Sequence, residues 1–384
     1  MNNPFHIPSE ITYLNCAYMA PLTDKALQLG QEGLAKKTRP WLFTGEDFFE
    51  PIKKVQNLFA KIIHSDQPDR VALIPSASYG MANVVRNIKL EKGQKIILVA
   101  AQFPSNVYSW QRIAEESGSK IQLVDAPASA NGKGRTAAWN EAILAAIDEE
   151  TAAVSMPHVH WADGTLFDLV AIRAKTLKHG AYLTIDGTQS VGAHPFDVNK
   201  IQPDALVCAG YKWLLGPYST GLAWYGPRFD NGTPIEENWI HRKDSDQFAN
   251  LVNYQAEYRT GAARYSVGEL SNFALLPALT EALDTVLNIG VDNIAIHTRK
   301  IAAQSIAHLE EMGCDVGQDV PHLFGIRPGA NFEIEKIKTA LTEAKIFVSY
   351  RGDAIRVSPH IYNSKADLEK LTNAIASVRQ SVLS

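Results

Sequence analysis

Cysteine is scarce in this chain, with three among 384 residues. Cys16, Cys208 and Cys314 are widely spaced and odd in number, which argues against a disulfide framework and against a cysteine-built metal site. Long apolar runs are missing as well. The longest, such as Ile96–Ala101, have the length of a strand, whereas a membrane-spanning helix needs about 20 apolar residues. Positive charge is not in excess: 37 Lys and Arg stand against 41 Asp and Glu, a net charge of −4. No basic surface for nucleic acid or an anionic membrane is expected. No internal repeat and no low-complexity tract occurs. The opening Met-Asn-Asn-Pro-Phe-His lacks a charged segment followed by an apolar one, so no secretory leader and a reducing, cytoplasmic setting are expected.

What is present is a large apolar fraction, 46%, enough for two domains. Helical spacing of apolar residues predicts helices over Asp24–Lys37 and Glu46–Ile63. From Val71 onward strands and helices alternate. Strands are expected at Val71–Ile74, Lys95–Ala101, Lys120–Val124, Ala152–Pro157, Ala181–Ile185, Ala205–Ala209 and Gly221–Trp224. Helices are expected at Ser78–Asn87 and Asn106–Glu116. This alternation predicts βαβ units and a mainly parallel seven-stranded sheet. The stretch Tyr225–Arg264 is polar and loop-rich. Helices near Asn272–Asn288 and Val291–Glu311 lead to a smaller α+β region. Its expected strands are His322–Ile326, Ile346–Tyr350 and Ala354–Val357, with a last helix at Lys365–Leu383. The expected organisation is an N-terminal arm (1–20), a large α/β domain (21–285) and a small C-terminal α+β domain (286–384).

Two residues stand at the ends of predicted buried strands. Asp186 follows Ala181–Ile185, and Lys212 follows Ala205–Ala209. Ligands of open α/β sheets bind beyond the carboxyl ends of the strands, so an acid and a lysine meet at one rim. Taken singly, a lysine after a strand is usually a surface charge, and a strand-end Asp is often a cap or turn former. Together they suit pyridoxal phosphate: the lysine forms an imine with the aldehyde, and the acid keeps the ring nitrogen protonated. The Trp-Leu-Leu-Gly-Pro turn after Lys212 would desolvate the amine and make its neutral form available. The small residues Gly-Thr-Gln-Ser after Asp186 would let a flat ring approach the backbone. Pro75-Ser76-Ala77-Ser78-Tyr79-Gly80 opens a helix after the first strand, where N–H groups and the helix dipole can receive a phosphate.

With Asp186-Gly-Thr-Gln-Ser and Tyr211-Lys212-Trp213 as its most specific segments, the chain resembles the class V aminotransferase family of fold-type I pyridoxal-phosphate enzymes. That family includes cysteine desulfurases, selenocysteine lyases, isopenicillin N epimerase and kynureninase. The resemblance runs from about Tyr13 to the C-terminal helix. It implies that Ala77 and Ser78 hold the cofactor phosphate, with Tyr211 beside it. Phe103 stacks on the ring, Gln189 lies near the ring hydroxyl, and Asp186 and Lys212 are the catalytic pair. Trp161 stands where many relatives have Asn, and His160 is a neighbour that could compensate. His158 and His160 lack a third partner for a metal. Arg264-Tyr-Ser-Val-Gly268-Glu269 resembles the turn that reaches into a neighbouring subunit's phosphate site, with Gly268 as a cofactor contact. A homodimer with a shared site is implied.

Ala354-Ile-Arg356-Val-Ser-Pro resembles the family's carboxylate motif, so Arg356 is expected to hold an amino acid's α-carboxylate, with Arg351 as its competitor. The implied activity is Lys-aldimine and quinonoid chemistry on an amino acid, by an aminotransferase or amino-acid lyase. An epimerase or a kynureninase-like hydrolase is the alternative. A non-catalytic cofactor-binding regulator is the alternative from another class. The segment Ile346–Asp353 contains no cysteine, which speaks against a persulfide-forming desulfurase.

Overall fold

The computed structural model describes residues 4–127, 132–317 and 319–379. A seven-stranded sheet forms the large body. Its strands lie in the order Val71–Ile74, Gly221–Tyr225, Ala205–Ala209, Tyr182–Asp186, Thr151–Pro157, Lys95–Val99 and Lys120–Val124. All run the same way except Gly221–Tyr225, which is antiparallel to both neighbours. Side chains alternate between two cores, as a pleated strand covered on both faces requires. In Ala205–Ala209, Leu206 and Cys208 enter one core while Ala205 and Val207 enter the other. The sheet's covered faces account for the apolar runs in the sequence.

A second, four-stranded antiparallel sheet follows the order Ser349–Arg351, Ala354–Val357, Phe324–Arg327 and Asp315–Val316. It has its own core, containing Phe324, Ile326, Ile355, Val357, Leu368 and Leu371. The N-terminal segment joins this small body. Thr12–Tyr13 pairs in parallel with Ile346–Phe347, and the Cys16 amide donates to the Ser358 carbonyl at 3.1 Å. The segment then crosses to the large body, where the Ala20 amide donates to the Tyr211 carbonyl.

Several expected elements differ in extent. The helix expected over Glu46–Ile63 is a 3-10 turn, Gly45–Phe48, followed by an α-helix, Glu50–Ile62. Pro51 explains the break, because a proline ring clashes with the carbonyl four residues earlier and is tolerated only in the first turn. The strand expected over Ile346–Tyr350 divides at Val348, and its halves pair with different partners. The strand expected at His322–Ile326 is Phe324–Arg327. Helices Gly132–Ala146, Leu169–Lys178 and Ile334–Glu343 were not anticipated. The first opens Gly-Lys-Gly-Arg, a poor helix-forming start, yet parallel strands need a crossover there. The last helix runs Lys365–Ala376, and positions 380–383 of the expected helix lie outside the described residues.

Candidate active site

Asp186 ends its strand and pairs in register with Val207 of the neighbouring one. Lys212 follows three residues beyond that neighbour's end, so both side chains reach the same rim. They are 7% and 6% exposed. The turn after Lys212 is fully buried at Trp213, Leu214 and Leu215. Burial pushes the Lys212 amine down to about 8; Asp186 opposes that shift, and the charges of Arg356 and Arg351 add to it. Burial raises the Asp186 carboxyl, against hydrogen bonds from Thr188 and the charge of Lys212. Thr188 ties the two strand ends together: its amide donates to Asp186 Oδ1 at 2.9 Å, and its hydroxyl accepts from the Ala209 amide at 3.0 Å.

Lys212 stands in the wall between two chambers. The first, about 290 Å³, contains Asp186, Ala77, Ser78, Phe103, Tyr211 and Ser219 among its lining. Ala77 and Ser78 begin helix Ala77–Arg86, which Ser76 caps by accepting from the Tyr79 amide. That helix lies close on the sheet, because a side chain at Gly80 would meet Val207 at 2.8 Å and Ile74 at 2.9 Å. Its first residues, Ala77 and Ser78, border the chamber. Phe103 has the Lys212 amine 5.3 Å from its ring centre. Tyr211 packs on Tyr218, with ring centres 4.6 Å apart.

The second chamber, about 230 Å³, adds Tyr18, Arg351 and Arg356 to the shared residues Phe103, Trp161, Tyr211, Lys212 and Tyr218. Arg356 is 1% exposed. It donates to the Trp161 carbonyl at 3.0 Å and to Ser349 Oγ at 3.3 Å. The fold thus brings Ala77, Ser78, Phe103, Trp161, Asp186, Tyr211, Lys212 and Arg356 to two adjoining cavities.

Four further residues from the sequence motifs are placed as follows. Gln189 borders the first chamber, but its amide donates to the Ala17 carbonyl at 3.1 Å and accepts from the Trp213 indole at 2.9 Å. It fastens the N-terminal arm to the lysine turn. Gly268 lines neither chamber of its own chain, and its amide donates to the Glu236 carboxylate at 3.0 Å. His160 lies behind the site, with Nδ1 3.3 Å from Asp163 and Nε2 3.3 Å from the Ala100 carbonyl. It is Trp161 that faces the cavities, held by its indole N–H on the Ala101 carbonyl at 2.7 Å. Gly187 is small for the core rather than for a ring: a Cβ there would meet Leu206 at 2.7 Å and Cys208 at 2.8 Å.

Sequence reasoning missed Thr188, Tyr18, Tyr218 and Ser219. Thr188 lay in a quoted motif, and its two-residue spacing from Asp186 is that of an Asx-type turn. The others reach the cavities only through tertiary contacts. All three cysteines are buried and free. Cys16 borders neither chamber, and burial pushes its thiol up to about 12.

Comparison with known proteins gives consistent results. The sequence model of the family described as Aminotransferase class-V matches residues 23–371. A protein named as an uncharacterized aminotransferase, YcbU of Bacillus subtilis, is 28% identical over 343 residues, covering 88% of this chain and 87% of its own. A cysteine desulfurase of Haloferax volcanii is 23% identical over 363 residues, covering 84% of this chain and 80% of its own. Among solved structures, the cystine C-S lyase C-DES with its product cysteine persulfide superposes with a TM-score of 0.85 at 18% identity, covering 97% of this chain and 98% of that one. The cysteine desulfurase CsdA of Escherichia coli superposes with a TM-score of 0.81 at 16% identity, covering 98% and 96%. At such identities the structural likeness speaks for the fold alone.

Proposed function

This chain belongs to the class-V aminotransferase family, and from that premise we propose which of its residues carry the chemistry. The protein is a pyridoxal-phosphate-dependent enzyme, a transferase or lyase acting on an amino acid. The first chamber fits that cofactor. Among the described residues, Thr188 alone hydrogen-bonds to the Asp186 carboxylate, which leaves that carboxylate able to receive a ring N–H. The N-terminus of helix Ala77–Arg86, with the Ser76 and Ser78 hydroxyls, offers donors to a phosphate. When bound, the cofactor supplies an aldehyde that takes up an amine and a protonated ring that draws electrons from the amino acid's Cα.

The observation that carries the reading is the position of Lys212, buried between an acid chamber and an arginine chamber. With its ammonium destabilised by burial, Lys212 Nζ is available as a neutral nucleophile near pH 8. Its amine would hold the cofactor and, when free, would accept the Cα proton of the amino acid. Asp186 would keep the ring nitrogen protonated. Ala77 and Ser78 would hold the phosphate with Tyr211 beside them, and Phe103 would lie against the ring. Arg356 receives the α-carboxylate through a planar fork of donors. Trp161 closes both chambers and excludes water. Gln189 positions the arm and the lysine turn.

A persulfide-forming reaction is disfavoured, because among the described residues no cysteine lines the second chamber and Cys314 lies in the small body's core. The functional unit is a homodimer, in which the Arg264–Glu269 turn reaches the neighbour's phosphate site. A reducing, cytoplasmic setting fits the three free cysteines.

Borohydride reduction of the holoenzyme followed by peptide mapping tests the central assignment. The pyridoxyl label is expected on Lys212, and label on another lysine overturns it. Titration with a panel of amino acids, with product identification, then separates transfer from elimination. Sedimentation tests the dimer: an active monomer would remove the shared site.

A further inference from the structure

The second chamber carries more positive charge than one α-carboxylate requires. Arg351 and Arg356 both line it, Lys212 stands in its wall, and among the described residues no Asp or Glu borders it. The hydrogen bonds of the two arginines go to neutral groups. Arg356 donates to the Trp161 carbonyl and to Ser349 Oγ, and Arg351 donates to the Tyr350 carbonyl at 2.7 Å. The Nε of each is buried and has no partner among the described residues. Two other largely buried arginines of this protein are neutralised by carboxylates. Arg173 meets Asp204 at 2.9 Å, and Arg327 meets Asp163 at 2.8 Å.

A buried guanidinium without a counterion is costly. The strain is visible at Arg356, whose guanidinium is pushed down to about 9, first by burial and then by the charge of Arg351. Trp161 offsets part of it, with the Arg351 and Arg356 guanidiniums 5.1 Å and 5.9 Å from its ring centre. One carboxylate accepts one bidentate fork. The second guanidinium is left to meet a second anion. The two also differ in depth: Arg356 is fully buried, whereas Arg351 is only partly so.

We propose that the substrate is a dicarboxylic amino acid of aspartate or glutamate length, its α-carboxylate on Arg356 and its side-chain carboxylate on Arg351. This rests on the reading of the site given above. It makes Arg351 a specificity residue and places the second carboxylate toward the open end of the chamber.

The test uses the purified holoenzyme with L-aspartate and L-glutamate against L-asparagine and L-glutamine, which keep the length and lose the charge. The acids are expected to exceed their amides by about 100-fold in kcat/KM, the size of one desolvated charge pair. Arg351→Gln is expected to bring that ratio close to one. Arg351→Lys, which keeps the charge without the fork, is expected to retain an intermediate ratio. Arg356→Lys is expected to lower acids and amides together. Amides that match the acids in the wild type would overturn the proposal. So would an Arg351→Gln enzyme with an unchanged ratio, since both arginines would then serve one carboxylate. Failure of the underlying reading looks different: no amino acid changes the cofactor's absorbance, and reduction leaves Lys212 unlabelled.

Discussion

The two chambers that meet at Lys212 are built in opposite ways. The acid chamber is made from the strand ends of one sheet: Asp186, Thr188, Ala209 and the helix start at Ala77 all stand at or just beyond the end of one of its strands. To the shared wall of Phe103, Trp161, Tyr211, Lys212 and Tyr218 the arginine chamber adds two distant parts of the chain. These are the N-terminal arm at Ala17–Met19 and the small sheet at Arg351 and Arg356. The first inherits its geometry from hydrogen-bonded strand register. The second depends on how the small body and the arm are fastened to the large one. Two buried polar side chains contribute to that fastening. Gln189 holds the arm at Ala17. Asp163, 2% exposed, binds Arg327 of the small sheet at 2.8 Å and Arg135 at 3.3 Å. The first chamber should therefore tolerate insults that disable the second.

Lys212 serves both chambers, so its loss should have the largest effect. Lys212→Ala is expected to lower kcat/KM by about 10⁴-fold, the upper range for removing a positioned proton acceptor. Steady-state kinetics with the preferred amino acid would check it, and activity within tenfold of wild type would remove Lys212 from the reaction. Asp163→Asn comes next. It leaves Arg327 and Arg135 facing a neutral amide, at a cost of about 4 kcal/mol in folding stability. Chemical denaturation would measure that loss. Burial alone would raise the Asp163 carboxyl, but His160 and Arg327 hold it well below the usual carboxylate range. Its stabilisation is therefore complete above the unfolded value near 3.8 and declines as pH falls further.

Arg356→Lys tests the second chamber alone. It is expected to cost about 3 kcal/mol in transition-state stabilisation while leaving the cofactor's resting absorbance intact. If the absorbance changes as much as the kinetics, the chambers are not separable. A smaller effect concerns Lys212 in cofactor-free protein. Its amine is depressed from 10.5 to about 8, so between those values the unfolded chain binds more protons than the folded one. Stability should then rise with pH across that window. Lys212→Met apoprotein is expected to be more stable than wild type by about 3 kcal/mol below pH 8, with the gap closing toward pH 10.5. A pH-independent gap would show that the amine is not desolvated. Gln189→Leu should have the smallest effect, about 1 kcal/mol from two lost hydrogen bonds. Its kinetic consequence should fall mainly on KM, since the arm lines the arginine chamber.

The same contrast governs what could be read from the residues. The strand-end placement of Asp186, Lys212, Ala77 and Ser78 was legible because each lies within four residues of an apolar strand, and a parallel sheet places such ends on one rim. Phe103, Tyr211 and Arg356 were legible through motif resemblance. The real work of Gln189 was not, because its partners Ala17 and Trp213 are 172 and 24 residues away. The division of Ile346–Tyr350 was hidden for a similar reason. Nothing local announces that its first half pairs with Thr12–Tyr13.

By itself, then, the sequence determined the sheet and the strand-end pair. Burial of both sheet faces imposes apolar runs, and the residues that interrupt them at the ends must be polar, chemically active or both. Tertiary structure alone decided the arginine chamber. Its two unneutralised guanidiniums become a feature only when the arm and the small sheet are folded against Trp161, because charge balance in a cavity is set by which side chains surround it in space.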